Sequence, residues 1–81
     1  MSAFDHDAAR ARVLPVLADL IAQQEKRVAA CAARIDPRLT ADDLLQPHDF
    51  PMLAGDAAFN YEDGVLAGLR SAEAALRAAL R

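Results

Sequence analysis

The sequence predicts an all-α protein, an antiparallel helical hairpin with short helical turns in the connecting segment. Two stretches of roughly 20 residues, one towards each end of the chain, repeat apolar residues at steps of three and four, the spacing of one helix face. Between them, residues 46–64 contain three of the four aromatic residues and two of the four prolines. The 81 residues have room for one domain, which we assign to residues 1–81.

The first element is expected to be a short helix over residues 6–14. Asp5 can cap it, and Asp7 would lie in its first turn, where the helix dipole favours negative charge. Pro15 removes a backbone donor and restricts Leu14, so we expect the helix to be kinked or broken there. The alternative is that the long helix begins at Pro15.

From Pro15 the apolar repeat predicts a helix that ends near Arg34, because Asp36 precedes Pro37 and is disfavoured in the helical region. Gln24 interrupts the apolar face. It either reaches solvent or is a buried polar residue that fixes register and partner number at some cost in stability. Cys31 is expected to be a small buried hydrophobe rather than a reactive thiol. The predicted buried face consists of Leu14, Leu17, Ile21, Gln24, Val28, Cys31 and Ile35.

The connecting segment is expected to hold two short helical turns. Thr40 and Asp43 resemble a capping box with Asp in place of Glu, which predicts a short helix through Leu45 that Pro47 ends. The range 49–55 contains a capping residue, an early proline and a closing glycine, which fits a single turn.

The last helix is predicted to open at an Asn60 cap with acids in its first turn, or as early as Asp56. Glu73 can pair with Arg77 on a solvated side of this helix. Small residues at helical spacing would let a second backbone approach closely. The apolar side consists of Val65, Leu66, Leu69, Leu76 and Leu80, and the small-residue stripe of Gly64, Gly68, Ala72, Ala75 and Ala79.

Composition and charge exclude several classes of function. The net charge of −3 and pI near 5.1 argue against nucleic-acid binding, which needs a basic surface. Charged residues and proline interrupt every apolar stretch before the roughly 20 residues that span a bilayer. The acidic first residues lack the features of a secretion signal, so we expect a cytoplasmic protein. The bias towards alanine and arginine suggests a bacterium with a GC-rich genome.

Alanine provides much of the 54% hydrophobic content but little area for burial. A chain this short is marginally stable by itself, so we expect a partner. The partner is either a second copy, giving a dimeric helical bundle, or a larger protein.

No catalytic or cofactor motif is present, so we predict a protein that is not an enzyme and binds no cofactor. A connector so rich in rigid and aromatic residues is expected to be ordered and to bind a partner, and the protein to be an adaptor, assembly factor or accessory subunit. Whether the aromatic residues cover the hairpin's own core or form an exposed anchor patch is left open. The predicted partner-binding residues are His48, Phe50, Leu53, Phe59 and Tyr61.

The alternative function is a carboxylate–histidine metal protein assembled across a dimer interface. The Glu-x-x-His pairs of ferritin-like carboxylate sites are absent from the sequence, which weakens this alternative. Its candidate ligands are Glu25, His48, Asp49, Glu62 and Asp63.

Overall fold

In the computed structural model, which describes residues 4–81, two long helices pack side by side and short helical turns connect them. The described residues contain no strand, so the all-α prediction is confirmed. Assembly into a dimer stays a prediction. The helices are α1 (His6–Ile35), α2 (Pro51–Ala54) and α3 (Ala57–Ala79), with 3₁₀ turns at Asp43–Leu45 and Pro47–Asp49.

Helix α1 runs through Pro15 as one element of 30 residues, so residues 6–14 are helical as predicted, whereas a break at Pro15 and a helix start at Pro15 are both wrong. Asp5 caps it as expected, because its Oδ1 accepts a hydrogen bond from Ala8 N at 2.9 Å. Leu14 and Leu17 are half-buried on either side of the proline. Packing on both sides of Pro15 therefore compensates for the missing backbone hydrogen bond.

Helix α1 ends just before Pro37, as predicted, although its last residue is one position later than expected. The last helical residue is Ile35, and Asp36 N donates to Ala32 O at 2.9 Å. Arg38 then folds back, and its Nε and Nη2 donate to the two carboxylate oxygens of Asp36 at 3.0 and 3.1 Å. These hydrogen bonds lower the pKa of Asp36 below its ordinary value.

The capping box in the connector is confirmed. Thr40 N donates to Asp43 Oδ2 at 2.8 Å, and Asp43 N donates to Thr40 Oγ1 at 3.3 Å. Both hydrogen bonds are local, so a sequence pattern is sufficient to predict them.

Helix α3 is capped by Asp56 and not by Asn60. Asp56 Oδ1 accepts from Phe59 N at 2.7 Å, whereas Asn60 Nδ2 donates to Ala54 O at 2.9 Å. The earlier of the two predicted starts is therefore correct. Asp56 is favoured because the helix then includes Phe59, which packs into the core.

The hydrophobic core lies between α1 and α3 and continues under the connector. The predicted face of α1 is confirmed, since each of its residues is buried or half-buried. Cys31 is buried, and its Sγ accepts a hydrogen bond from Arg34 Nη2 at 3.2 Å. Leu66 of α3 and Leu80, which follows the helix, are buried, but Val65 is exposed. The core cluster comprises Ile21, Val28, Cys31, Ala32, Leu53, Phe59 and Leu66.

The molecule is elongated. Its principal extents are 56 × 19 × 17 Å and its radius of gyration is 16.2 Å, compared with about 12 Å for a compact domain of this length. Neither long helix, over the described residues, combines the length and apolarity that crossing a membrane requires. The hairpin thus has two long sides, one on each flank of the contact between α1 and α3.

Candidate functional site

The structure separates the five predicted partner-binding residues by burial. Leu53 and Phe59 have no exposed surface and belong to the core, so they are packing residues in this conformation. Phe50 is half-buried and packs against the same cluster. His48 is exposed, and 70% of Tyr61 is accessible. A partner contact through Leu53 or Phe59 is therefore not supported, and one through His48 or Tyr61 stays a prediction.

A concave surface lies on one side of the hairpin, where α1, α3 and the start of the connector meet. It is a groove of about 600 Å³. We refer to it below as the lateral groove. Its apolar lining includes Ala22, Val28, Ala29, Ala32, Leu39, Leu44, Leu45 and Leu66. Sequence reasoning missed it, because its lining combines residues of α1, α3 and the connector that are distant in sequence.

Charged side chains of both signs surround this apolar lining. Arg70 Nη2 lies 4.0 Å from Glu25 Oε1 across the two helices, and both side chains are about half exposed. Lys26, Asp42 and Asp63 complete the rim. A pair exposed to this extent contributes at most about 1 kcal/mol to stability, so its charges are available to other groups at little cost.

A buried polar contact fixes the relative position of the two helices beside the groove. Gln24 is 7% exposed, and its Nε2 donates to the backbone oxygen of Glu62 at 2.9 Å and to Glu62 Oε2 at 2.6 Å. Gln24 is therefore buried and does not reach solvent, and its role in fixing register and partner number stays a prediction. A hydrogen bond to an ionised acceptor favours one helix register over others, because a shift would leave the amide unpaired.

A second, smaller concavity of about 90 Å³ lies at the connector end of the molecule. It is large enough for one apolar side chain only. Its lining residues are Ile35, Asp36, Leu39, Phe50, Pro51, Met52 and Leu53.

The candidate metal ligands do not come together within the chain. Residues 4–81 contain no group of three or more His, Cys, Asp or Glu side chains placed to hold a metal ion. Glu62 accepts the hydrogen bond from Gln24, and Glu25 lies beside Arg70. A site shared between two copies stays a prediction.

The predicted surface pair of α3 is present in part. Arg77 Nη2 lies 3.7 Å from Glu73 Oε2, as the spacing of four residues indicates. Arg70, on the same helix, lies beside Glu25 of α1. Glu73 is half-buried, so it lies closer to the helix contact than a fully solvated position.

In comparisons with known proteins, no family model, no curated protein and no solved structure matches the chain.

Proposed function

We propose that this chain is a small, non-enzymatic interaction protein, an adaptor, assembly factor or accessory subunit, which binds a helix of a larger protein in the lateral groove. The observation that carries the proposal is the apolar lining of that groove inside a rim of mixed charge. Helix-in-groove recognition uses such a surface, with apolar anchors at helical spacing on the partner.

The dimensions of the groove fit this partner. From Ala22 to Ala32 it follows ten residues of α1, about 15 Å at 1.5 Å per residue, or nearly three helical turns. Two or three apolar side chains on one face of a partner helix span that distance. The rim, with Glu25 and Asp63 near Lys26 and Arg70, suits a partner that carries charges of both signs beside its apolar face.

The connector has a direct part in this proposal. It provides the wall of the groove through Leu39, Leu44 and Leu45, and Leu45 is 71% exposed. The proposal keeps a role for the central segment in partner binding, but none of the five predicted partner-binding residues lines the groove.

Two neighbouring alanines permit a matched test. Ala29 lines the groove, whereas Ala30 is an exposed residue of the same helix outside it. Ala29→Trp is expected to fill the groove with little effect on folding, and Ala30→Trp to leave the groove open. Because the chain contains no tryptophan, the emission spectrum of each variant reports the environment of the new side chain. We expect Ala29→Trp to emit at a shorter wavelength than Ala30→Trp.

The binding experiment uses the same pair as baits in the native organism, followed by mass measurement of the intact complexes. A protein that is retained by the wild type and by Ala30→Trp, and lost with Ala29→Trp, would support the proposal. Equal retention by both variants would contradict it.

A further inference from the structure

The side of the hairpin opposite the lateral groove carries an apolar face that no residue of the described chain covers. On α1, Val13, Val16 and Leu20 recur at steps of three and four, and their exposed fractions are 36%, 58% and 43%. On α3, Tyr61 and Val65 are exposed and four residues apart. Gly68 and Ala72 continue that line at steps of three and four.

These two lines lie on the same side of the molecule. Residues one position before and one position after a buried residue lie about 100° to either side of it on a helix. Ala22 follows buried Ile21 and lines the groove, so Leu20, which precedes Ile21, lies on the opposite flank. Val65 has the corresponding position before buried Leu66 on α3.

The register of the antiparallel helices places the lines next to each other. Gln24 contacts Glu62, and His6 Nδ1 lies 2.9 Å from Arg81 O. Between these two contacts, Leu20 is level with Val65, and Val16 is level with Gly68 and Ala72. We call the combined surface the apolar face.

The apolar face contains both projecting and recessed positions. Val16, Leu20 and Val65 project, whereas Gly68 is recessed and has open space before it, because a Cβ atom built there would meet nothing within 4 Å. A two-fold symmetric contact is self-complementary, and a face with both projecting and recessed positions can provide both halves of it.

The accessible surface of the chain is larger than that of a compact monomer of the same mass. The chain exposes 5849 Å², whereas a compact monomer of 8.7 kDa exposes about 4,700 Å². The excess of about 1,100 Å² is summed over the whole elongated surface, and it is large enough to contain the roughly 800 Å² that each partner buries in a protein interface of standard size.

We propose that a second copy of this chain covers the apolar face, so that two hairpins form a four-helix bundle with Gly68 and Ala72 at the close approach. This inference does not depend on the lateral groove, which stays open on the outer side of each hairpin.

Sedimentation equilibrium tests the proposal, with Val16→Lys and Met52→Lys as a matched pair. Both residues are exposed and apolar, but Met52 lies on the connector, away from the apolar face. We expect the wild type at about 100 µM to have twice the 8.7 kDa mass of the chain. Val16→Lys should raise the dimer dissociation constant at least about tenfold, and Met52→Lys should leave it unchanged. A monomeric wild type, or equal effects of the two variants, would overturn the proposal.

If Val16→Lys fails to fold, Gly68→Leu tests the proposed interface in its place. The single hairpin has space for a side chain at this position, so circular dichroism should show unchanged helicity. The same variant should be monomeric if Gly68 faces a second copy. Leu66→Met, a change inside the hairpin, should stay dimeric. A Gly68→Leu protein that dimerises as strongly as Leu66→Met would refute the proposed interface.

Discussion

Gln24 is the buried polar side chain of the described core, and both of its hydrogen bonds cross from α1 to α3. A glutamine amide has two donors, and leaving it unpaired in the core costs about 1–3 kcal/mol. The pairing with Glu62 removes that cost in one register of the hairpin only. Gln24 therefore contributes to which register is chosen as well as to how stable it is.

The neighbouring residue provides the control for this role. Gln24→Ala should lower the free energy of unfolding by about 1–3 kcal/mol, since it removes two hydrogen bonds and buried volume. Gln23→Ala, at an exposed position, should change it by less than about 0.5 kcal/mol. Both changes gain the same helix propensity, so urea denaturation of the pair isolates the buried contact. Equal effects would show that the Gln24–Glu62 contact does not stabilise the fold.

The aromatic residues show how far residue-level prediction extends. The sequence predicts an ordered region that contains Phe50, Phe59 and Tyr61. Which of these side chains is buried depends on where α3 begins. With Asp56 as the cap, Phe59 lies two turns before Leu66 on the buried face, and Tyr61 points away from it. Asp56 and Asn60 are equally good helix caps as far as the sequence shows. Only the core packing of Phe59 distinguishes the two helix starts.

At the scale of elements, the long helices were predictable where the apolar repeat is continuous. Pro15 led to a wrong boundary because the local cost of proline was weighed without the packing of Leu14 and Leu17 on both sides. The end of α1 and the capping box in the connector were predictable because their hydrogen bonds join residues close in sequence. The lateral groove was not, since it requires three elements at a distance set by tertiary packing.

Leu53 of α2 is the connector side chain that is fully buried in the core, and this leads to a prediction for α2. Leu53 is fully buried in the core cluster, whereas Met52 beside it is 65% exposed. Leu53→Ala should lower the free energy of unfolding by about 2–5 kcal/mol and increase amide exchange in the connector. Met52→Ala should change it by less than about 0.5 kcal/mol. If the two variants unfold at the same denaturant concentration, the connector is not anchored through Leu53.

At the scale of the whole molecule, the two sides of the hairpin differ in character. The groove side combines an apolar lining with charges of both signs, which suits a partner of different sequence. The opposite side is apolar where Val13, Val16 and Leu20 of α1 lie beside Val65 of α3, and it has small residues at Gly68 and Ala72, which suits a symmetric contact. Both proposals can therefore hold in one complex, with a dimer at the centre and a groove on each outer side.

Such a dimer has a shape that small-angle X-ray scattering can measure. Because the apolar face runs along the hairpin, two copies lie side by side, and the particle length should stay near the 56 Å of one chain while the mass doubles. The Val16→Lys variant serves as the monomer standard, with the same length and a radius of gyration near 16.2 Å. Contact through the helix ends would instead give a dimer about 110 Å long, twice the length of one hairpin. A doubled mass with that length would place the interface at the ends of the helices and remove the apolar face from it.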